Sequence, residues 1–250
     1  ISLYRPFFTQ NGYFNKFWND QTYSLTCLFP SNNIKNQTIL VSGKSEAFSC
    51  FITDHLSDQG ALSQCFPRFI FINNNEKIDA INDDAITHFR EAYHEKDIDK
   101  DGIFYYVYGI LHSPEYRSKY SNNLAKELPR IPRVTTYEQF KAFSDAGRKL
   151  ADLHVNYESQ PEFSRVTIKG EEHGNYYVTQ MKWGKIAGKT GNAAKDKSVL
   201  IYNDDITISN IPLEAQEYVV NKKSALDWIV ERACVSTDKK SGITNDFNQV

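Results

Sequence analysis

Two prolines divide the segment Asp101–Pro132, DGIFYYVYGILHSPEYRSKYSNNLAKELPRIP, and leave it few ways to fold. Upstream of Pro114, Ile103, Val107, Ile110 and Leu111 recur at helical spacing, which predicts a helix with one apolar, core-facing side flanked by Tyr105, Tyr106 and Tyr108. Ser113 before Pro114 has the form of an N-cap followed by proline at the first helical position, where the missing N–H is no loss. Glu115 then suits the positive end of the next helix. Tyr116, Tyr120, Leu124 and Leu128 follow at four-residue steps. Pro129 ends that pattern, and Arg130-Ile131-Pro132-Arg133 is expected to leave extended, because a residue before proline avoids the helical region. The result is a helical hairpin with a basic exit and no catalytic residues.

On either side the pattern changes. From Ile1 to about Phe71 short strand-like runs, LYRPFF, TILVS, AFSCFITD and RFIFIN, are separated by Asn, Ser and Gly clusters, and Asn73-Asn74-Asn75 closes the region. Ala85, Ile86, Phe89 and Tyr93 predict a helix before the hairpin. Thr136 with Gln139 forms a capping-box signature opening a long helix, with Phe140, Phe143, Gly147, Leu150 and His154 on one stripe. After Pro161 strands return in SRVTIKG, NYYVTQMKW and SVLIYNDDITIS, with a turn at Asn203-Asp204-Asp205, and a closing helix begins at Ser224, capped with help from Asp227. The order is α+β: a β-rich N-terminal part, a central helical region with the hairpin, and a β-rich C-terminal part closed by a short helix. At 250 residues this is one composite domain or closely packed lobes, 1–75, 83–157 and 162–250.

Net charge is -2, so nothing global attracts phosphate, and nucleic-acid binding requires local basic patches. Cys27, Cys50, Cys65 and Cys234 lack zinc-type spacing and are expected to be reduced thiols of a cytoplasmic protein. No apolar run approaches the roughly 18 residues that span a bilayer. Met181 is the sole methionine, so Ile1 is not a translational start, and a segment of a longer or processed polypeptide is expected. Asn36-Gln37-Thr38 fits a glycosylation acceptor, but no secretory signal accompanies it, which makes it a chance match.

Several motifs fail on inspection. Asp97-Ile-Asp99-Lys-Asp101-Gly102 opens like a calcium loop, yet Tyr108 stands where the closing bidentate glutamate belongs, so the acids are read as the start of a helix. Gly184-Lys-Ile-Ala-Gly188-Lys189-Thr190 is one residue short of a P-loop, and a polar stretch follows it. The histidines form no known constellation. Asp54, His55 and Asp58 are a candidate metal or hydrolytic site, for which a polar turn is the plainer account. Lys182, Lys185, Lys189, Lys195 and Lys197 are opposed only by Asp196, and they are candidate phosphate contacts.

The hairpin segment FYYVYGILHSPEYRSKYSNNLAKELPRIP resembles the C-terminal specificity domain of Type ISP restriction-modification enzymes, large single-chain bacterial proteins. Leu3-Tyr-Arg-Pro-Phe7, Ile52-Thr-Asp54, Gln64-Cys-Phe-Pro67, Tyr202-Asn203, the run Ile208 to Pro212, Glu217-Tyr-Val219, Ser224-Ala-Leu-Asp-Trp228 and Ser241-Gly-Ile-Thr-Asn-Asp246 resemble stretches of that family in the same order. The resemblance implies a non-catalytic target-recognition domain that reads an asymmetric duplex DNA site for upstream methyltransferase and nuclease-translocase parts of the same polypeptide. Those parts imply S-adenosylmethionine, ATP and magnesium, none of them held by this segment. No Asn-Pro-Pro-Tyr motif and no complete Walker A occur here. In that setting the five lysines, with Arg130 and Arg133, are expected to touch phosphates. A tyrosine-rich surface docking onto a neighbouring domain is the alternative, as is a stand-alone hydrolase built on Asp54, His55 and Asp58.

Overall fold

Pro6 and Phe7 cut the first apolar run into two strands, β1 (Ser2–Arg5) and β2 (Phe8–Gln10), with Phe7 at a φ of 58°. The computed structural model describes residues 2–12, 17, 25–31, 33–43, 48–58, 62, 64–72 and 76–249. The expected turn at Asn73-Asn74-Asn75 and part of the run from Ala47 lie outside the described residues. The chain forms two compact units: Ile1–Arg5 with Asn11–Gln160, and Pro6–Gln10 with Pro161–Val250. The first two strands therefore go one to each unit.

In the first unit, β3 (Thr38–Val41) is the centre of an antiparallel sheet between β4 (Cys50–Thr53) and β6 (Gln64–Pro67), while β5 (Leu56–Ser57) pairs in parallel with β1. Every residue of β3 and β4 is buried, which suits their unbroken apolar runs. Arg68 separates β6 from β7 (Phe69–Ile72), which forms a hairpin with β8 (Glu76–Asp79). Helices follow: α1 (Asp83–Tyr93), α2 (Lys100–His112), α3 (Pro114–Lys119), α4 (Ser121–Leu124) and α5 (Tyr137–Val155).

Apart from α4, each of these helices starts on a side chain that satisfies orphan N–H groups. Asn82 caps α1, accepting from the N–H of Ala85 at 2.9 Å, and Asp99 caps α2, accepting from Gly102 at 2.6 Å. The acidic run at 97–101 thus opens a helix, as its sequence suggests. Ser113 caps α3 with Pro114 at the first position, and Thr136 and Gln139 close the full capping box of α5. The second arm of the hairpin is shorter than its four-residue pattern suggests. It breaks at Tyr120 (φ -108°, ψ 18°) into α3 and α4, and Leu128 is exposed beyond them.

The first arm is not amphipathic, contrary to its apolar stripe. Tyr106 and Tyr108 are both 0 % exposed, and Ile103, Phe104, Gly109, Ile110 and Leu111 are buried with them. The main partner of α2 is α5. Gly109 and Gly147 mark their crossing: a Cβ on Gly109 would stand 2.3 Å from the carbonyl oxygen of Phe143, and one on Gly147 2.0 Å from that of Tyr105. Around the crossing, the rings of Phe89, Tyr106 and Phe140 pack with centroids 4.9 to 5.5 Å apart. Ser144 donates to the carbonyl of Gly102 at 2.9 Å.

Tyrosine hydroxyls packed in this core need partners, and those of Tyr93, Tyr106 and Tyr116 find them on the extended exit. Tyr106 donates to the carbonyl of Pro132 at 2.6 Å and accepts from the N–H of Val134. Tyr93 donates to Val134, and Tyr116 to Arg130 at 2.9 Å. Burial pushes the Tyr106 phenol up to about 12, so the hydroxyl stays a donor at any ordinary pH.

The second unit is built on an antiparallel sheet ordered β10 (Lys182–Lys185), β11 (Lys195–Ile201), β12 (Thr207–Ser209), β9 (Thr167–Lys169). Asn203 makes the expected turn between β11 and β12, its side-chain oxygen accepting from Asp205 and Ile206. Two short hairpins, β13 (Val219–Val220) with β14 (Lys223–Ser224) and β15 (Val235–Thr237) with β16 (Thr244–Asp246), flank α6 (Ala225–Arg232). Ser224 caps α6 by accepting from the N–H of Asp227. Its core gathers Val178, Met181, Trp183, Leu200, Ile211, Val230 and Ala233. Phe7 and Phe8 pack against Tyr218 and Phe247, at ring distances of 6.2 and 6.0 Å.

Candidate nucleic-acid interface

The P-loop-like glycines and the lysines around them form one hairpin in the second unit. Strands β10 and β11 pair antiparallel, and Ile186 to Ala194 connect them through a short 3-10 turn, so no phosphate-cradling loop precedes a helix here. A bulge between Trp183 and Gly184 interrupts the alternation of β10. It leaves Lys182 and Lys185 exposed, with Trp183 and Gly184 buried between them. Lys189 is exposed on the connection. Lys185 faces Lys195 directly across the ladder, both exposed. Like charges opposite one another destabilise a strand pair. Nothing in the hairpin's own packing gains from that placement, whereas an anion seated between them would.

Lys197 departs from the sequence expectation. Its ammonium is 2.6 Å from Asp227 and 3.4 Å from the amide oxygen of Gln216, and it lies over the Trp183 ring at 5.9 Å. Burial disfavours the charge on Asp227, but hydrogen bonds from Lys197 and the Trp183 indole hold the carboxyl below the usual carboxylate range. Lys197 is therefore tied to the start of α6. Lys197→Ala is expected to lower the stability of the chain by about 1 kcal/mol in a thermal melt. Lys189→Ala, at an exposed side chain, should leave the melt unchanged.

Arg130 and Arg133 belong to the first unit, on the extended exit held by the tyrosines. Arg130 is 86 % exposed at its side chain and pairs with Glu127 at 3.1 Å, and Arg133 lies 5.8 Å from the Tyr93 ring. Both guanidinium groups stand on a fixed backbone.

The first unit also carries a cleft of about 900 Å³ that sequence patterning did not reveal. Its wall includes Lys35, Gln37, Arg68, Phe69, Lys77 and Tyr105. Arg68 forms ion pairs with both Asp79 and Asp101, and its guanidinium stacks on Phe69 at 4.2 Å. The Lys77 ammonium stands 3.5 Å from the same ring, and Arg148 stacks on Tyr105 at 4.1 Å. Lys35, Arg68 and Lys77 thus line the cleft together with the rings of Phe69 and Tyr105. The polar run Lys35-Asn36-Gln37 just ahead of the apolar β3 was the available signal. Asn36 itself is not presented for glycosylation: it is 4 % exposed, and its amide donates to the carbonyls of Leu28 and Phe69 at 2.9 Å each.

Asp54 and His55 also line the cleft, in contact at 2.6 Å, while Asp58 pairs with Arg5 at 3.5 Å. The three side chains are thus split between two partnerships. Among the described residues no group of three or more His, Cys, Asp or Glu is placed to hold a metal ion, and Cys27, Cys50, Cys65 and Cys234 are free thiols. No helix among the described residues is long and apolar enough to cross a membrane. The tyrosines of α2 and α3 form no exposed patch, since Tyr106, Tyr108 and Tyr116 are buried and Tyr105 and Tyr120 half-buried.

A family model described as the Type ISP C-terminal specificity domain matches residues 1–250. No curated protein matches the chain. Among solved structures, a nuclease-deletion mutant of the Type ISP restriction-modification enzyme LlaGI, in complex with a DNA substrate mimic, is 38 % identical, with a TM-score of 0.81. The match covers 99 % of this chain and 21 % of that one. The ATP-dependent Type ISP restriction-modification enzyme LlaBIII bound to DNA is 36 % identical, with a TM-score of 0.86, over 99 % of this chain and 16 % of its own. A DrdV–DNA complex solved by cryoEM is 31 % identical, with a TM-score of 0.84, over 99 % and 25 %. The chain spans a quarter or less of the length of these relatives. On its whole length and on its fold, the chain belongs to the Type ISP C-terminal specificity domain family.

Proposed function

We propose that this chain reads the sequence of duplex DNA as the specificity segment of a restriction-modification enzyme. The observation that carries it is the near-complete match to segments of relatives that are described in complex with DNA. Methylation, ATP-driven translocation and cleavage belong, in this proposal, to other parts of the same polypeptide. S-adenosylmethionine, ATP and magnesium serve those parts, and this segment contributes no catalytic group. Location in the cytoplasm goes with that role.

Phosphate contacts fix register and base-edge contacts carry sequence information. The exposed lysines of the β10–β11 hairpin suit the first task, as do Arg130 and Arg133. Because overall charge is slightly negative, affinity has to come from such local groups. Selection of bound sequences from random duplexes by the full-length protein tests the assignment: one enriched asymmetric motif is expected, and no enrichment would overturn it. The triple variant Lys185→Ala, Lys189→Ala, Lys195→Ala is expected to lower the slope of log affinity against log salt by about 3, with the selected motif unchanged. An unchanged slope would remove the hairpin from the interface.

A further inference from the structure

Gln37 is held more firmly than a surface glutamine needs to be. Its N–H donates to the side-chain oxygen of Asn36 at 2.9 Å, and its carbonyl accepts from the N–H of Arg68 at 2.7 Å. Its amide oxygen accepts from the Tyr105 hydroxyl at 2.7 Å, while the Tyr105 ring lies under the Arg148 guanidinium. Backbone and side chain are both fixed. With the oxygen engaged, the amide nitrogen keeps two N–H donors, and among the described residues no protein group accepts from them. The side chain lines the cleft.

The surroundings say which acceptor those donors suit. Lys35 and Lys77 are exposed and line the same cleft, and neither forms an ion pair among the described residues. Of the acids that line the cleft, Asp101 is taken up by Arg68 and Asp54 by His55. A fixed pair of N–H donors in a cleft that two cations also line fits a neutral acceptor edge of a molecule that carries phosphates. In the major groove guanine alone offers two adjacent acceptors, N7 and O6.

We propose that Gln37 is a specificity-determining residue whose amide N–H groups read guanine in the DNA target, and that Tyr105 is its positioning residue. This rests on the DNA-reading function above. Tyr105 binds the amide oxygen and so selects donation over acceptance, which disfavours adenine, whose N6 amino group would need that oxygen. The site is pre-organised in the manner that base readout requires: the reading group is locked by a neighbour that does not itself touch the base.

The test is a four-base substitution series at each position of the motif selected by the full-length protein, with dissociation constants measured for wild type and three variants. Wild type should prefer guanine at one position by roughly tenfold over other bases. Gln37→Ala should bring the four bases at that position within about twofold, leaving other positions and the salt slope as they were. Gln37→Glu keeps the bond from Tyr105 and replaces donors by an acceptor, so preference should move to cytosine, whose amino group donates. This variant preserves the anchoring, which covers the case in which Gln37→Ala fails to fold. Tyr105→Phe should weaken discrimination at the same position alone, an effect that a merely structural tyrosine would not produce. Unchanged discrimination in both Gln37 variants, on a motif that wild type selects, overturns the role of Gln37 and leaves DNA reading intact. Failure of wild type to select any motif overturns both.

Discussion

Gly147→Ala is expected to destabilise the chain by about 3 kcal/mol, where an exposed helical glycine would gain up to about 1 kcal/mol from the same change. The inversion of sign is the diagnostic. The new methyl would meet the Tyr105 carbonyl oxygen at 2.0 Å and the Gly109 nitrogen at 2.8 Å, and neither is a side-chain end that can swing aside. Helices α2 and α5 must part, which loosens the Tyr106–Phe140 ring contact and the bond from Ser144 to Gly102. Gly109→Ala should act alike, because its methyl would meet the Phe143 carbonyl from the other side of the crossing. Urea unfolding followed by far-ultraviolet circular dichroism reads the effect. A raised midpoint for Gly147→Ala would show that the two backbones do not approach this closely.

The second large effect is of pH. His112 and His154 sit with Tyr108 inside the first unit. The His154 Nδ1 is 2.6 Å from the Tyr108 hydroxyl, its ring stacks on Phe51 at 5.5 Å, and the two histidine rings are 5.8 Å apart. Burial, then the nearby Arg117 charge, pushes His112 down to about 4. Burial, then His112, pushes His154 down to about 3. Both folded-state values lie below the unfolded value near 6.5, so on acidification the unfolded chain takes up protons first. Stability is therefore complete above about pH 7 and is lost as pH falls from about 6.5 toward about 4 for His112 and about 3 for His154. Between pH 7.5 and pH 5 the loss should be about 2 kcal/mol per histidine. Urea midpoints at the two values check it, and His154→Gln should remove about half of the dependence. A pH-independent midpoint would mean that these rings are not held neutral.

What could be read from the sequence was local. Ser113-Pro114, Thr136 with Gln139 and Ser224 with Asp227 act within one helical turn, and each does in the structure what its spacing implies. The burial of Tyr106 and Tyr108 was hidden because their hydroxyls suggest a surface, while Tyr106 is satisfied by Pro132 and Tyr108 by His154, far along the chain. The same distance hid the partner of Lys197, since Asp227 lies thirty residues downstream. It hid Gln37 as well, whose side chain is fixed by Tyr105 across 68 residues. In each case the partner that decides the role of a polar group lies far along the chain, and only the fold brings it near.

The assignment of residues 6–10 to the second unit bears on how the protein is made and how it can be re-engineered. Phe7 and Phe8 are synthesised well before Tyr218 and Phe247, against which they pack. That unit closes only after about 150 intervening residues have been synthesised, so its contacts are of the long-range, slow-forming kind. A transplanted unit cut solely at residue 160 would arrive without its two N-terminal phenylalanines. Moving the second unit between relatives therefore calls for moving both pieces of sequence together.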